Sequence, residues 1–228
     1  LDLDLAAPRT DTSGRHPLPT ADQLSELFGS WGLTPDKQLI AYDNAGGAVA
    51  ARLWWLARWA GHEQVALLDG GLQAWEQSGG PLSTARPSNG TGRYPVQPGQ
   101  LPEMPVHAVE GGVSAGELTL IDARDPVRFA GGAEPIDPVA GHVPGALNRP
   151  FNLNLDEQGR FKSPAALAAE FAALLDGQPE PVVSMCGSGV TACHNLFAMT
   201  LAGLSPAALY VGSWSEWIRD PARPVGRS

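Results

Sequence analysis

Thiols are scarce in this chain: Cys186 and Cys193 are the two cysteines in 228 residues. Their spacing fits no zinc-ligand pattern, and helical residues i and i+7 lie about 10 Å apart, too far for a disulfide. A disulfide-stapled secreted scaffold is therefore excluded, and a reducing, cytoplasmic setting is expected. Positive charge is also short: 15 Lys and Arg stand against 24 Asp and Glu, a formal net charge of −9. Nucleic acid and anionic membrane surfaces are thus not expected as partners. No apolar run approaches the about 20 residues that cross a bilayer. The opening Leu1-Asp-Leu-Asp-Leu5 has neither the basic region nor the apolar core of a signal peptide. What is present in quantity is apolar side chain, 43% of the residues, enough for a sizeable core.

The most informative stretch joins Pro181-Val-Val-Ser-Met185 to Cys186-Gly-Ser-Gly-Val-Thr191. The first five residues read as a buried strand, and Thr191 to Leu204 as an apolar helix ending before Ser205-Pro206. Glycines in the intervening loop allow backbone N–H groups to converge on one point, where the helix adds the positive end of its dipole. A cysteine at that mouth has its thiolate stabilised and is a usable nucleophile. Two chemistries use such a loop. Cysteine phosphatases require Cys-x5-Arg, and the sixth residue after Cys186 is Ala192, which removes that reading. Sulfur transfer needs only the nucleophile and a ring of N–H donors, here on Gly187, Gly189, Val190 and Thr191. Cys193, within the helix, is expected in the core.

The chain repeats itself. Leu24 and Phe28 match Leu167 and Phe171 at an offset of 143, and Gly70 and Trp75 match Gly212 and Trp217 at 142. Gln38 to Tyr42 then corresponds to the strand before the cysteine, and Asp43 stands opposite Cys186, where its charge would repel anionic donors. Strands alternating with helices at this spacing predict an α/β fold, each repeat a mostly parallel sheet flanked by helices. A Pro-, Gly- and Ser-rich stretch separates the repeats, so the expected division is 1–85, a linker at 86–105, and 106–228. The second repeat opens with a strand near Leu118 to Arg124 whose counterpart would precede residue 1. The first repeat is expected to lack that strand. Its absence would expose an apolar sheet edge, which favours loss of a segment over evolution without one; intact mass against the encoded length tests this.

Several runs together resemble the two-domain sulfurtransferases of the rhodanese family over nearly the whole chain. They are Leu68-Asp-Gly-Gly71 with Ala74-Trp75, Asp122-Ala-Arg124, Gly141-His-Val-Pro-Gly-Ala146, the cysteine loop, and Gly212-Ser-Trp-Ser-Glu-Trp217. The Gly187-Ser188 pair is similar to the 3-mercaptopyruvate sulfurtransferase branch; the thiosulfate branch usually has basic residues there. The resemblance implies that Cys186 accepts sulfur as a persulfide and that Arg128, on the irregular segment after the Ile121-Asp122 strand, holds the donor anion. It also implies a proton relay of Ser188, His16 and Asp4. The family often places a second arginine after a Glu-Pro pair, and here Glu134-Pro135 is followed by Ile136.

The implied partners are a small-molecule sulfur donor and a thiol or cyanide acceptor, with a thioredoxin-like reductant as one candidate; no metal or organic cofactor is required. Two other readings stay open, a thiosulfate sulfurtransferase and a persulfide carrier or redox-sensing module without efficient turnover. The seven tryptophans are expected to pack the core and the contact between repeats, and His142 to serve packing or a hydrogen bond in a turn.

Overall fold

The computed structural model describes residues 5–85 and 92–228. The first repeat runs α1 (Ala21–Ser30), β1 (Leu39–Ala41), α2 (Ala50–Trp59), β2 (Val65–Leu67) and α3 (Gly71–Gln77). The second runs α4 (Val106–Ala115), β3 (Thr119–Asp122), α5 (Pro126–Ala130), β4 (Leu147–Asn148), α6 (Pro164–Leu175), β5 (Val182–Met185), α7 (Ala192–Leu201), β6 (Ala208–Leu209) and α8 (Ser213–Trp217). The five elements of the first repeat recur in order as α6, β5, α7, β6 and α8.

Local chemistry starts these helices where it should. Thr20 caps α1 in a capping box with Gln23. Ser163 and Asp125 cap α6 and α5, each followed by a proline in the first turn. Helix α7 stops at Leu201, short of the expected Leu204, because Gly203 turns into the left-handed region at φ 73°. Arg128 lies on the short helix α5 and not on irregular chain; Asp125 and Pro126 are its start signal.

In the second repeat four parallel strands lie in the order β4-β3-β5-β6. Strand β3, buried at every residue, sits beside β5. In the first repeat β1 pairs with β2 alone among the described residues, so the partner that β3 provides to β5 has no counterpart. Alternation along β5 sends Val183 and Met185 into a smaller cluster with Leu120, Tyr210, Trp214 and Trp217. Cys186, one residue on, faces the larger cluster. That cluster is continuous through both repeats: Leu24, Phe28, Trp54 and Trp55 share it with Leu167, Phe171, Cys193 and Leu196. Its seam is α2 against α7, where Trp54 meets Phe197 edge to face at 5.0 Å between ring centroids.

Candidate active site

Strand β5 delivers Cys186 to the N-terminal end of α7, where the thiol is 2% exposed. Its sulfur accepts a hydrogen bond from the Ser188 N–H at 3.4 Å. Among the described residues, the N–H groups of Gly187, Gly189, Val190 and Thr191 have no hydrogen-bond acceptor and remain available to a ligand. Gly189 turns the loop at φ 76°, and a Cβ there would lie 2.3 Å from the Val211 carbonyl oxygen, so only glycine fits. The loop is held from below by the Gly212–Trp217 stretch. Ser213 Oγ accepts from the Cys186 N–H, and the N–H groups of Trp214 and Ser215 donate to the carbonyls of Cys186 and Gly187. Ser213 itself has φ 52°, a conformation that non-glycine residues rarely adopt. In the sequence this stretch carries the repeat, the family resemblance and two packing tryptophans; its support of the cysteine loop was not foreseen.

The first repeat reaches into the same place. Its segment Gly14-Arg15-His16-Pro17 lies against Gly212 and Ser215, and the Arg15 N–H donates to Ser215 Oγ at 3.0 Å. His16 Nδ1 is 2.8 Å from Ser188 Oγ. Burial, and then the nearby charges of Arg15 and Arg52, push the His16 pKa down to about 4, so its imidazole is neutral at neutral pH. Cys186, Ser188, His16, Arg128, Gly187, Val190 and Thr191 therefore line one cleft of about 410 Å³ between the repeats, with Gly189 shaping its floor. Asp4, the expected third member of the relay, lies outside the described residues. A second cleft, about 450 Å³, is lined by Ser13, Met104, Tyr210 and Glu216 among others and contains no cysteine.

Arg128 is anchored by Glu134, with Nε and Nη2 donating at distances of 2.7 to 3.1 Å, and reaches Asp137 at 3.3 Å. Arg124, by contrast, is fully engaged away from the cleft's chemistry: it pairs with Asp122, donates to the Gly141 carbonyl and lies over the Trp214 ring. His142 stacks on Phe129 at 4.0 Å and bonds that residue's carbonyl, a packing role as expected.

Two buried side chains tie the loops of the repeats together. Arg52 of α2 donates to the Gly189 carbonyl at 3.0 Å and to the His16 carbonyl at 3.1 Å. His194 of α7, its equivalent by the repeat, bonds the Gly46 carbonyl at 3.0 Å through Nε2. At the offset of 143 that sets Asp43 opposite Cys186, Gly46 corresponds to Gly189; the two helices correspond at 142, because the first loop is one residue longer. Sequence analysis missed this exchange, although two polar residues at matching places in apolar helices were a signal.

The first repeat's own loop is closed. Asp43 does not face a donor, as its charge had suggested. Its carboxylate accepts from the N–H groups of Ala45, Gly47, Val49 and Ala50, each at 2.8 Å. Burial alone would raise its pKa, but these four bonds outweigh that and hold the carboxyl below the ordinary range.

A model of the rhodanese-like domain matches residues 6–78 and 106–220. The chain is 48% identical over 228 residues to the Pseudomonas aeruginosa protein named "Probable 3-mercaptopyruvate sulfurtransferase", covering 99% of this chain and 80% of that one. It is 33% identical to the thiosulfate sulfurtransferase of Cricetulus griseus, over 89% of this chain and 70% of the relative. Among solved structures, the 3-mercaptopyruvate sulfurtransferase of Leishmania major superposes with a TM-score of 0.81 at 27% identity, over 95% of this chain and 60% of that one. Cysteine loop, repeat arithmetic and these matches agree, and the chain belongs to the rhodanese-like family.

Proposed function

We propose that this protein is a 3-mercaptopyruvate sulfurtransferase in which residues 106–228 carry the nucleophile and residues 1–85 form a repeat without one. The observation that carries the reading is the 2.8 Å contact between His16 and Ser188, two residues from Cys186. Thiosulfate leaves sulfite, which needs no proton to depart. Mercaptopyruvate leaves an enolate that must gain a proton at carbon, and a neutral imidazole linked to a hydroxyl can pass one. Asp4 is proposed to orient His16.

The Cys186 thiolate attacks the donor's thiol sulfur; the S–S bond forms and the C–S bond breaks, with that electron pair leaving as the pyruvate enolate. The proton that began on the donor's thiol passes through Ser188 and His16 to the enolate carbon. Pyruvate and a Cys186 persulfide anion result, with no net change in charge or protons. The persulfide has the same bond count from Cβ as the Asp43 carboxylate, so its outer sulfur corresponds to a carboxylate oxygen. Amides of residues 187–191 then hold that sulfur as those of the first repeat hold Asp43. Cyanide removes the outer sulfur as thiocyanate, or a thiol takes it as a new persulfide, regenerating the Cys186 thiolate. A thioredoxin-like dithiol would serve as such an acceptor. A nucleophile that must remain a free thiol suits the reducing cytoplasm.

Steady-state rates with both donors test the assignment. We expect higher kcat/KM for mercaptopyruvate, with one pyruvate released per sulfur transferred over many turnovers. Faster turnover of thiosulfate would reassign the donor, and a single turnover would make the protein a persulfide carrier.

A further inference from the structure

Besides Arg128 and the engaged Arg124, the cleft is lined by a further cation that nothing in the sequence pattern assigned. Ile136 stands uncharged and 58% exposed at its rim. Arg15 enters from the other repeat: a Cβ built on Gly187 would lie 2.9 Å from Arg15 Nη2 and 3.5 Å from Arg128 Nη2. The two guanidinium groups thus converge over the residue that follows the nucleophile. They are held there by one buried carboxylate, for Arg15 Nη1 and Arg128 Nη2 bond the two oxygens of Asp137, the neighbour of Ile136. Each pairing leaves donors unused. Among the described residues, Arg15 Nη2 and Arg128 Nη1 make no hydrogen bond.

We propose that Arg15 and Arg128 together form the donor-carboxylate clamp of this enzyme, with Arg15 supplying from the first repeat the cation that position 136 lacks. Two planar guanidinium groups side by side suit a planar carboxylate, one oxygen to each, and shared anchoring on Asp137 fixes their separation before the donor arrives. Because Arg15 precedes His16, closing the clamp on a donor also seats the relay. The inference rests on the donor reading above.

Its test compares native protein, Arg15→Gln, and Arg15→Gln with Ile136→Arg, in steady state with mercaptopyruvate and cyanide. Loss of one charged contact should raise the mercaptopyruvate KM about tenfold or more while kcat changes less than about threefold. The cyanide KM should not move. Arginine at 136, beside Asp137, should restore most of the lost KM. Because Arg15→Gln leaves Asp137 short of a partner, thermal melting is followed in parallel, and Arg15→Gln with Asp137→Asn repeats the KM comparison without that orphaned charge. An unchanged mercaptopyruvate KM in folded Arg15→Gln, or no recovery with Ile136→Arg in a folded double variant, overturns the clamp. A native protein that prefers thiosulfate sinks the donor reading alone, and the same KM comparison with thiosulfate then judges Arg15.

Discussion

Two thiols seven residues apart have opposite environments. Cys186 opens into the cleft, whereas Cys193 is wholly enclosed, donates to the Gly189 carbonyl, and has its pKa pushed up to about 12 by burial. Cys186→Ser should abolish persulfide formation, because a hydroxyl is not ionised here and forms no persulfide. Cys193→Ala should leave most transfer activity in place, read by mass spectrometry of the mercaptopyruvate-treated protein and by thiocyanate release. Equal loss from both would point to a two-cysteine redox mechanism. His16 provides a second prediction at this scale. With its pKa held at about 4 by burial and by Arg15 and Arg52, His16 should contribute no acid limb near 6.5 to kcat/KM, its own limb coming as pH approaches 4 to 5. A native acid limb near 6.5 that disappears in His16→Gln would contradict the neutral relay.

At the scale of elements, the two strand–loop–helix units are the same device in two states. The first is occupied by its own side chain, the second open. Asp43→Asn would turn one acceptor oxygen into an NH₂ group facing backbone donors, at a cost of about 1–3 kcal/mol. Urea unfolding should show that loss, while the ratio of kcat/KM for the two donors stays the same. A reversed donor preference would mean that the first loop takes part in the reaction. Much of this level was legible in the sequence. The 142–143 offset paired α1 with α6 and β1 with β5, and Gly-x-Gly after an apolar run marked the nucleophile. Arg15 was not legible, because a loop arginine carries no periodicity and its target lies in the other repeat. Nor was the Ser213 support, which depends on a backbone conformation that a serine does not advertise.

The whole molecule behaves as one core with two loops at its seam. His194, buried at that seam, has its pKa lowered to about 4 by burial, as does His16, where the nearby arginines add to burial. The unfolded chain takes up protons at these histidines near the ordinary 6.5, while the native protein refuses them until about 4. Their contribution to stability is therefore complete above 6.5 and declines as pH falls through that window. The urea midpoint should be lower at pH 5 than at pH 7.5, and less so in His194→Gln. A midpoint that does not change between those pH values would show that the seam histidines accept protons without cost.

The closed loop of the first repeat has one more consequence. An aspartate side chain carries two oxygens on the atom beyond Cβ, and so does a cysteine oxidised to the sulfinate. Asp43 is thus a carbon copy of an over-oxidised nucleophile, shown with its four amides already in place. A peroxide that carried Cys186 past the sulfenic stage would put the same pair of oxygens before the matching amides of the second loop. Over-oxidation would give the second loop the kind of occupant that the first already has.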